Sequence, residues 1–413
     1  MTKHFALLGE HLAHSFSPQI HAAFGAYKYT LLECAKTELG RLLHDGSYDG
    51  FNVTIPYKKD VVPFLDDLSD RAKSTGSVNT IVRQADGKLW GDNTDVAGFT
   101  AQLAKSNIDV RGKKALVLGS GGAGSAAMYA LKLLGADAIT ISRSGENNYS
   151  NIGKHLDAAV IVNATPVGMF PNNGFSPLSL APFRQLEFMF DLIYNPARTS
   201  LLLEAEQLGI PCANGLYMLV KQAAEGSKLF TGKAVDDVTV SRVCRELAFA
   251  NANIVLVGMP GCGKSTLARN LGQKLSRKFI DSDKEIELKY GMTPAQMITS
   301  RGEACFRQIE LETLREAGRQ TGVIISTGGG CVETPEAYPA LKQNGLILWL
   351  KRDLNALSTC GRPLSSSIGV DELYRRRKPK YALFADAEVH VCRDRNDTLK
   401  NAFEAIDALK ERL

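Results

Sequence analysis

Residues Gly258 to Ser265 read GMPGCGKS and match G-x-x-x-x-G-K-[ST] in full. A β-branched run at about Ile254–Val257 precedes them and helical spacing follows, which is the context a phosphate loop needs. Glycines let backbone N–H groups turn inward as an anion nest, and the helix adds the positive end of its dipole. Gly258, Gly261, Cys262, Gly263 and Thr266 would line the cradle. Lys264 would reach the β- and γ-phosphates of ATP, and Ser265 would ligate Mg²⁺. A second glycine stretch, GSGGAG, holds Gly119, Gly121, Gly122, Ala123 and Gly124 after the strand-like KALVL. It fits G-x-G-x-x-G, the spacing that cradles a dinucleotide pyrophosphate. The next strand, Ala138–Ile141, ends on Ser142, Arg143 and Ser144, where an NAD site usually carries Asp or Glu. A guanidinium at Arg143 fits a 2′-phosphate, so the expected cofactor is NADP(H).

Around each loop stand residues able to act on a second substrate. Asp281 and Asp283 close the run Phe279–Asp283, and residues two apart on a strand point to one side. One carboxylate can hold Mg²⁺ through water while the other hydrogen-bonds acceptor hydroxyls. Arg307, in GEACFR, can fork a carboxylate. Gly328, Gly329 and Gly330 follow Val323–Ile325 and allow close backbone approach to a ligand. Arg362, in GRPL, opens a polar segment suited to a lid that stabilises transition-state charge. Arg375–Lys378 is a dense basic run, either a solvated helix face or a phosphate-handling segment. In the first half, Lys58 follows the proline-broken strand NVTIPY. GDNTD offers Asp92 and Asp95, either of which can cap the helix that follows. Ser17-Pro18 reads as a helix start in which Ser17 caps.

The elements that must hold these residues follow from the apolar pattern. Strands alternate with helices, the signature of an α/β fold with largely parallel sheets. The two glycine loops differ in spacing, so they are sites of different kinds and not a repeat. At 413 residues the chain should form two to three domains. We divide it into an N-terminal α/β substrate domain over 1–109, completed by helices from about 214–250, a Rossmann domain over 110–213, and a P-loop α/β domain with a parallel sheet over 251–413. A 44% hydrophobic, 23% charged composition excludes disorder as the main state. No apolar run approaches the roughly 18 residues of a membrane span. MTKHFALLGEH reads as a first strand and not as a leader. Eight scattered cysteines without a C-x-x-C pair suggest reduced thiols in cytoplasm. A net charge of +5 suits anionic small-molecule substrates and gives no reason to expect nucleic acid or membrane as partners.

Taken together, the motifs from Asn251 onward resemble shikimate kinase: P-loop, Asp-x-Asp, GEACFR, GGG, GRPL and Arg377-x-Pro379-x-Tyr381, in that order. The resemblance implies ATP-dependent phosphorylation of shikimate. It assigns substrate contacts to Asp283, Arg307, Gly328–Gly330 and Arg377, Mg²⁺ to Asp281 and Ser265, and the lid arginine to Arg362. Asp283 is the candidate to accept the hydroxyl proton, and the adenine-side arginine is Arg393 or Arg395, with Arg395 preferred. Met1 to about Ala250 resembles shikimate dehydrogenase, through HSFSP at His14–Pro18, NVTIPYK, SVNT, GDNTD, the glycine loop, NATPVGM, YNP and NGLYMLVKQA. That resemblance implies NADPH-dependent reduction of 3-dehydroshikimate. Ser15 and Ser17 would bind the substrate carboxylate, Thr54, Asn79 and Gln222 its hydroxyls, with Tyr194 nearby. Lys58 and Asp95 would be the catalytic pair. Asn163 and Met218 would join the glycine loop at the cofactor. Tyr217 and Val96 stand where the family commonly has glycine. The whole reads as a bifunctional enzyme of aromatic amino-acid biosynthesis. Rival readings are quinate or another small polyol acid as substrate, or a shikimate-sensing regulator, which should have lost Lys58, Asp95, Lys264 or Arg362.

Overall fold

The computed structural model describes residues 2–13, 15–357 and 369–413, so His14 and the proposed lid arginine, Arg362, lie outside the described residues. The chain divides into two compact units. The first comprises 1–168, 176–194 and 204–244, and the second 169–175, 195–203 and 245–413.

The first unit carries two sheets. One is mixed, with order β2-β1-β3-β5-β6-β4. Its strands are β1 His4–Gly9, β2 Lys28–Glu33, β3 Gly50–Val53, β4 Asp67–Leu68, β5 Thr80–Arg83 and β6 Leu89–Asp92. β3 and β5 run antiparallel, with Asn52 opposite Thr80, and Thr80 opposite Asp92 on β6. That register brings the ends of NVTIPYK, SVNT and GDNTD to one edge. The other sheet is parallel, with order β11-β10-β9-β7-β8. It comprises β7 Lys114–Leu118, β8 Asp137–Ile141, β9 Val160–Asn163, β10 Phe188–Asp191 and β11 Cys212–Ala213. β7 and β9 are buried almost throughout, as expected of strands covered on both faces. The dinucleotide loop follows β7, which pairs with β8 on one side and β9 on the other.

The second unit has a parallel sheet of order β13-β14-β12-β15-β16. These are β12 Asn253–Gly258, β13 Phe279–Asp281, β14 Ile324–Ser326, β15 Gly345–Lys351 and β16 Ala387–His390. β12 is wholly buried at the centre, and two apolar cores cover its opposite faces: one includes Val255 and Val257, the other Ile254 and Leu256. The P-loop, Asp281 and the triglycine segment all leave carboxyl ends of adjacent strands, where open α/β sheets bind ligands. Two segments that precede this unit in sequence belong to it. Asn173 donates to Gln343 Oε1 at 2.6 Å, and the Arg198 N–H donates to the Gln343 carbonyl at 2.8 Å.

Local structure departs from the sequence expectations at four places. The helix Ser17–Phe24 has Phe16, not Ser17, at its cap position. The Ser15 hydroxyl accepts the Ser17 N–H instead, at 3.2 Å. Neither Asp92 nor Asp95 caps the helix Thr94–Lys105; Asn93 does, accepting from the Asp95 N–H at 3.2 Å. Asp281 and Asp283 do not share a strand face, because a helix begins at Ser282 and Asp281 caps it. The basic run splits along its helix, Val370–Phe384: Arg377 is buried while Arg375, Arg376 and Lys378 are exposed.

Candidate active sites in each unit

In the first unit, Lys58 Nζ donates to Asp95 Oδ2 at 2.6 Å, and both side chains are largely shielded from solvent. Asp95 Oδ1 accepts from Asn79 Nδ2 at 2.8 Å, and that amide also reaches Gln222 Oε1 at 3.2 Å. Asn79 is fixed from its other end, since its Oδ1 accepts the Thr94 N–H at 2.7 Å and the Thr80 hydroxyl at 3.1 Å. Gln222 arrives on the helix Leu216–Thr231. That helix packs so tightly against Thr94–Lys105 that a Cβ on Gly98 would lie 2.8 Å from the Met218 carbonyl. Four residues expected at the site are therefore joined by direct hydrogen bonds. The arrangement can hold a cationic ammonium beside a carboxylate, with amide groups placed for hydroxyls.

Ser15 and Ser17 are within hydrogen-bond distance of each other at 3.2 Å, and the Phe16 ring lies against Tyr194 with centroids 5.3 Å apart. Burial pushes the Tyr194 phenol above its ordinary range, so it is a neutral donor. Thr54 stands just past β3, its N–H donating to the Leu8 carbonyl. Sequence reasoning missed Asn52, whose Nδ2 donates to Thr80 Oγ1 and whose Oδ1 accepts from Tyr29. It also missed Thr94, bonded to both Asn79 and Gln222. Both lie inside quoted motifs, but alternation alone does not reveal which polar residue faces inward.

The dinucleotide loop fits an anion. Gly119 has φ +105°, and a Cβ on Gly124 would sit 2.2 Å from the Gly119 carbonyl. Gly121 takes the cap position of the helix Gly122–Leu133, and a Cβ there would meet nothing within 4 Å. Gly122 touches the Lys58 stem, its would-be Cβ 3.2 Å from Lys58 Cδ. Ala123 lies in the first turn. Arg143 is exposed on the turn after β8. Asn163 ends β9 and accepts from Thr165 while donating to Asp191 at 3.0 Å. Met218 is buried, its N–H donating to Gln102.

In the second unit, Gly258, Gly261 and Gly263 have φ of +146°, +81° and +104°, values that only glycine adopts without strain. Lys264 opens the helix Lys264–Leu275 and is 7% exposed. Its Nζ donates to the Gly258 and Met259 carbonyls at 2.9 and 3.1 Å, so the ammonium lies folded over the loop. Cys262 is fully buried in the loop and Thr266 follows in the first helical turn. Ser265 Oγ is 3.2 Å from Ser326 Oγ. Asp281 uses Oδ1 on the Asp283 N–H, which leaves Oδ2 for a hydrated cation. These donors fit a nucleotide with Mg²⁺.

The triglycine segment makes three close approaches of its own. A Cβ on Gly328 would lie 2.5 Å from Glu310 Oε1 and 3.0 Å from Asp283 Oδ1. One on Gly329 would lie 2.6 Å from Pro260 of the P-loop, and one on Gly330 2.4 Å from the Arg307 guanidinium. Arg307 donates to Glu310 at 2.7 Å and to Glu303 at 2.9 Å. Arg307 Nε and Glu310 Oε1 are buried without a partner among the described residues. Burial raises the Glu310 carboxyl above its usual range, against the opposing pull of Arg307. Glu310, three residues past Arg307, was missed in the sequence, where it reads as one more helical acid. Arg377 is 2% exposed. Arg393 and Arg395 are both exposed at the start of the final helix, Arg395–Lys410.

Two family models match the chain: a shikimate dehydrogenase substrate binding domain over residues 7–81 and shikimate kinase over 260–410. A shikimate dehydrogenase (NADP(+)) of Caldanaerobacter subterraneus subsp. tengcongensis is 36% identical over 267 residues, covering 57% of this chain and 94% of the relative. The solved shikimate dehydrogenase 1 of Peptoclostridium difficile superposes with a TM-score of 0.56 at 34% identity, over 60% of this chain and 98% of that one. The shikimate 5-dehydrogenase of Thermus thermophilus, solved with NADP(H) and shikimate, does so at 0.55 and 32%, over 59% and 99%.

Proposed function

This chain belongs to the shikimate dehydrogenase family and carries a shikimate kinase domain at its C-terminus, and we propose on that premise that it catalyses two consecutive reactions. The first reduces 3-dehydroshikimate to shikimate, and the second phosphorylates shikimate to shikimate 3-phosphate.

NADPH supplies the hydride for the first reaction. Lys58 delivers the proton to the carbonyl oxygen and stabilises the negative charge that develops there. Asp95 holds the ammonium in place, and Asn79, Gln222 and Thr54 orient the substrate hydroxyls. Ser15 and Ser17 take the carboxylate, with Tyr194 beside them. Gly119, Gly121, Gly122, Ala123 and Gly124 cradle the pyrophosphate, Arg143 meets the 2′-phosphate, and Asn163 and Met218 border the nicotinamide side. The observation that carries this reading is the shielded Lys58–Asp95 pair at 2.6 Å, tied through Asn79 to Gln222.

ATP supplies the phosphoryl group for the second reaction. Lys264 swings from the loop carbonyls to the phosphates, and Ser265 and Asp281 hold Mg²⁺. Asp283 receives the hydroxyl proton, Arg307 and Arg377 bind the shikimate carboxylate, and Gly328–Gly330 shape the floor. Arg362 closes the site and Arg395 lies on the adenine side. The P-loop conformation, with three left-handed glycines and a buried Lys264, supports this half.

The test is one reaction containing the purified chain, 3-dehydroshikimate, NADPH, ATP and Mg²⁺, with each component omitted in turn. Expected are NADPH oxidation that requires the ketone and ADP release that requires the shikimate formed. Turnover with quinate and not with shikimate would overturn the substrate assignment. Absence of both activities would overturn the reading.

A further inference from the structure

Glu333 closes the short turn Cys331–Glu333, directly after Gly330. Its carboxylate accepts from Arg377 Nε at 2.9 Å and from Lys380 Nζ. The two cations lie three residues apart on the helix Val370–Phe384 and so share a face. Their settings differ: the Lys380 side chain is 44% exposed and that of Arg377 is 3% exposed. Arg377 is tied to the triglycine segment through Glu333, which stands three residues past Gly330, and through its helix neighbour Tyr381. Its charge acts on the Glu310 carboxyl and on the Tyr381 phenol, and Tyr381 donates to the Gly329 carbonyl.

A carboxylate paired with Arg377 alone would cancel the charge an anionic ligand needs. Here one carboxylate lies between two cations, so the cluster keeps one net positive charge. Lys380 meets Glu333 from the wetter side and offsets part of the negative charge that Glu333 sets against the guanidinium. Binding at Nε also fixes the plane of the guanidinium, which lies beside the Tyr381 phenol, and so sets the direction of its terminal N–H groups.

We propose that Glu333, backed by Lys380, is a positioning residue that orients Arg377 and keeps its charge for the carboxylate of the kinase substrate. The proposal rests on the reading of Arg377 as a substrate contact. Steady-state kinase kinetics of the full chain test it, with the urea midpoint followed by kinase turnover as the folding control. Glu333→Ala should raise the shikimate KM roughly tenfold or more and leave kcat and the ATP KM within about threefold. Glu333→Gln keeps an acceptor oxygen and should restore most of that loss. Lys380→Met should raise the shikimate KM, and adding Glu333→Gln to it should reverse the rise. Should Glu333→Ala lower that midpoint, Glu333→Gln and Lys380→Met carry the test. The proposal is overturned if Arg377→Ala raises the shikimate KM while Glu333→Ala leaves it unchanged, or if Glu333→Ala lowers kcat alone. If Arg377→Ala itself leaves the shikimate KM unchanged, the substrate role of Arg377 falls first and the proposal with it.

Discussion

Around Lys58, the polar side chains are engaged with one another. Asp95 gives one oxygen to the lysine and the other to Asn79, and Asn79 is held by Thr94, Thr80 and Gln222. Around Arg307 the second unit is different, with one guanidinium N–H and one carboxylate oxygen buried without a described partner. A buried polar group left unmade costs about 1–3 kcal/mol, so the two clusters differ in how fully their described polar atoms are paired. On the proposed reading, the first holds its proton donor and orienting amides already bonded to one another, and the substrate of the second supplies partners for the donor and acceptor left over there.

The largest effects should come from the two lysines. Lys58→Ala should lower dehydrogenase kcat by roughly 10²- to 10⁴-fold and spare the kinase, and Lys264→Ala should do the reverse, at roughly 10²-fold or more. Loss of both activities in a folded variant would break the division into two sites. Next, Gly329→Ala presses a methyl into Pro260 and should cost the kinase roughly tenfold or more, with dehydrogenase turnover unchanged. Arg143→Ala should reduce the preference for NADPH over NADH by roughly tenfold, read as the ratio of the two kcat/KM values. An equal fall with both cofactors would remove the 2′-phosphate from its role.

A last expected effect is on stability against pH and leaves turnover at neutral pH untouched. Burial holds the His21 imidazole down to about 3, with its Nδ1 2.7 Å from the Tyr27 hydroxyl and its ring stacked on Tyr29. The folded value lies below the ordinary 6.5, so between the two the unfolded chain binds the extra proton. This contribution to stability is complete above pH 6.5 and is lost as pH falls toward 3, with a slope approaching about 1.4 kcal/mol per pH unit. Urea midpoints followed by dehydrogenase turnover should show that slope, and His21→Asn should flatten it. A matching slope in the midpoint for kinase turnover would break the contrast.

Much of this was legible in sequence because glycine, proline and strand periodicity act locally. Both glycine loops fall where a buried strand meets a helix, as their spacing predicts. Asp281 and Asp283 misled because alternation holds only while the strand continues, and Ser282 already begins a helix. Ser17 begins its helix one residue after the cap position and gives its N–H to Ser15, while Asn93, just before Thr94, takes the cap that Asp92 or Asp95 could have supplied. Glu310 and Glu333 could not be distinguished from solvated acids, since their meaning lies in Arg307, three residues away on a helix, and in Arg377, on a distant one. The contacts of Asn173 and Arg198 with Gln343 span long stretches of chain, and no local pattern reports them.

Each residue of the run Gly328–Gly330 abuts a different neighbour: a pair of acids, the P-loop proline and an arginine. No one of the three can drift without displacing a different functional part, and no compensating change at one place relieves the other two. Random variation should therefore be purged from three adjacent codons at once, a run of intolerance that deep mutational scanning would register more sharply here than at many of the residues that meet the substrate.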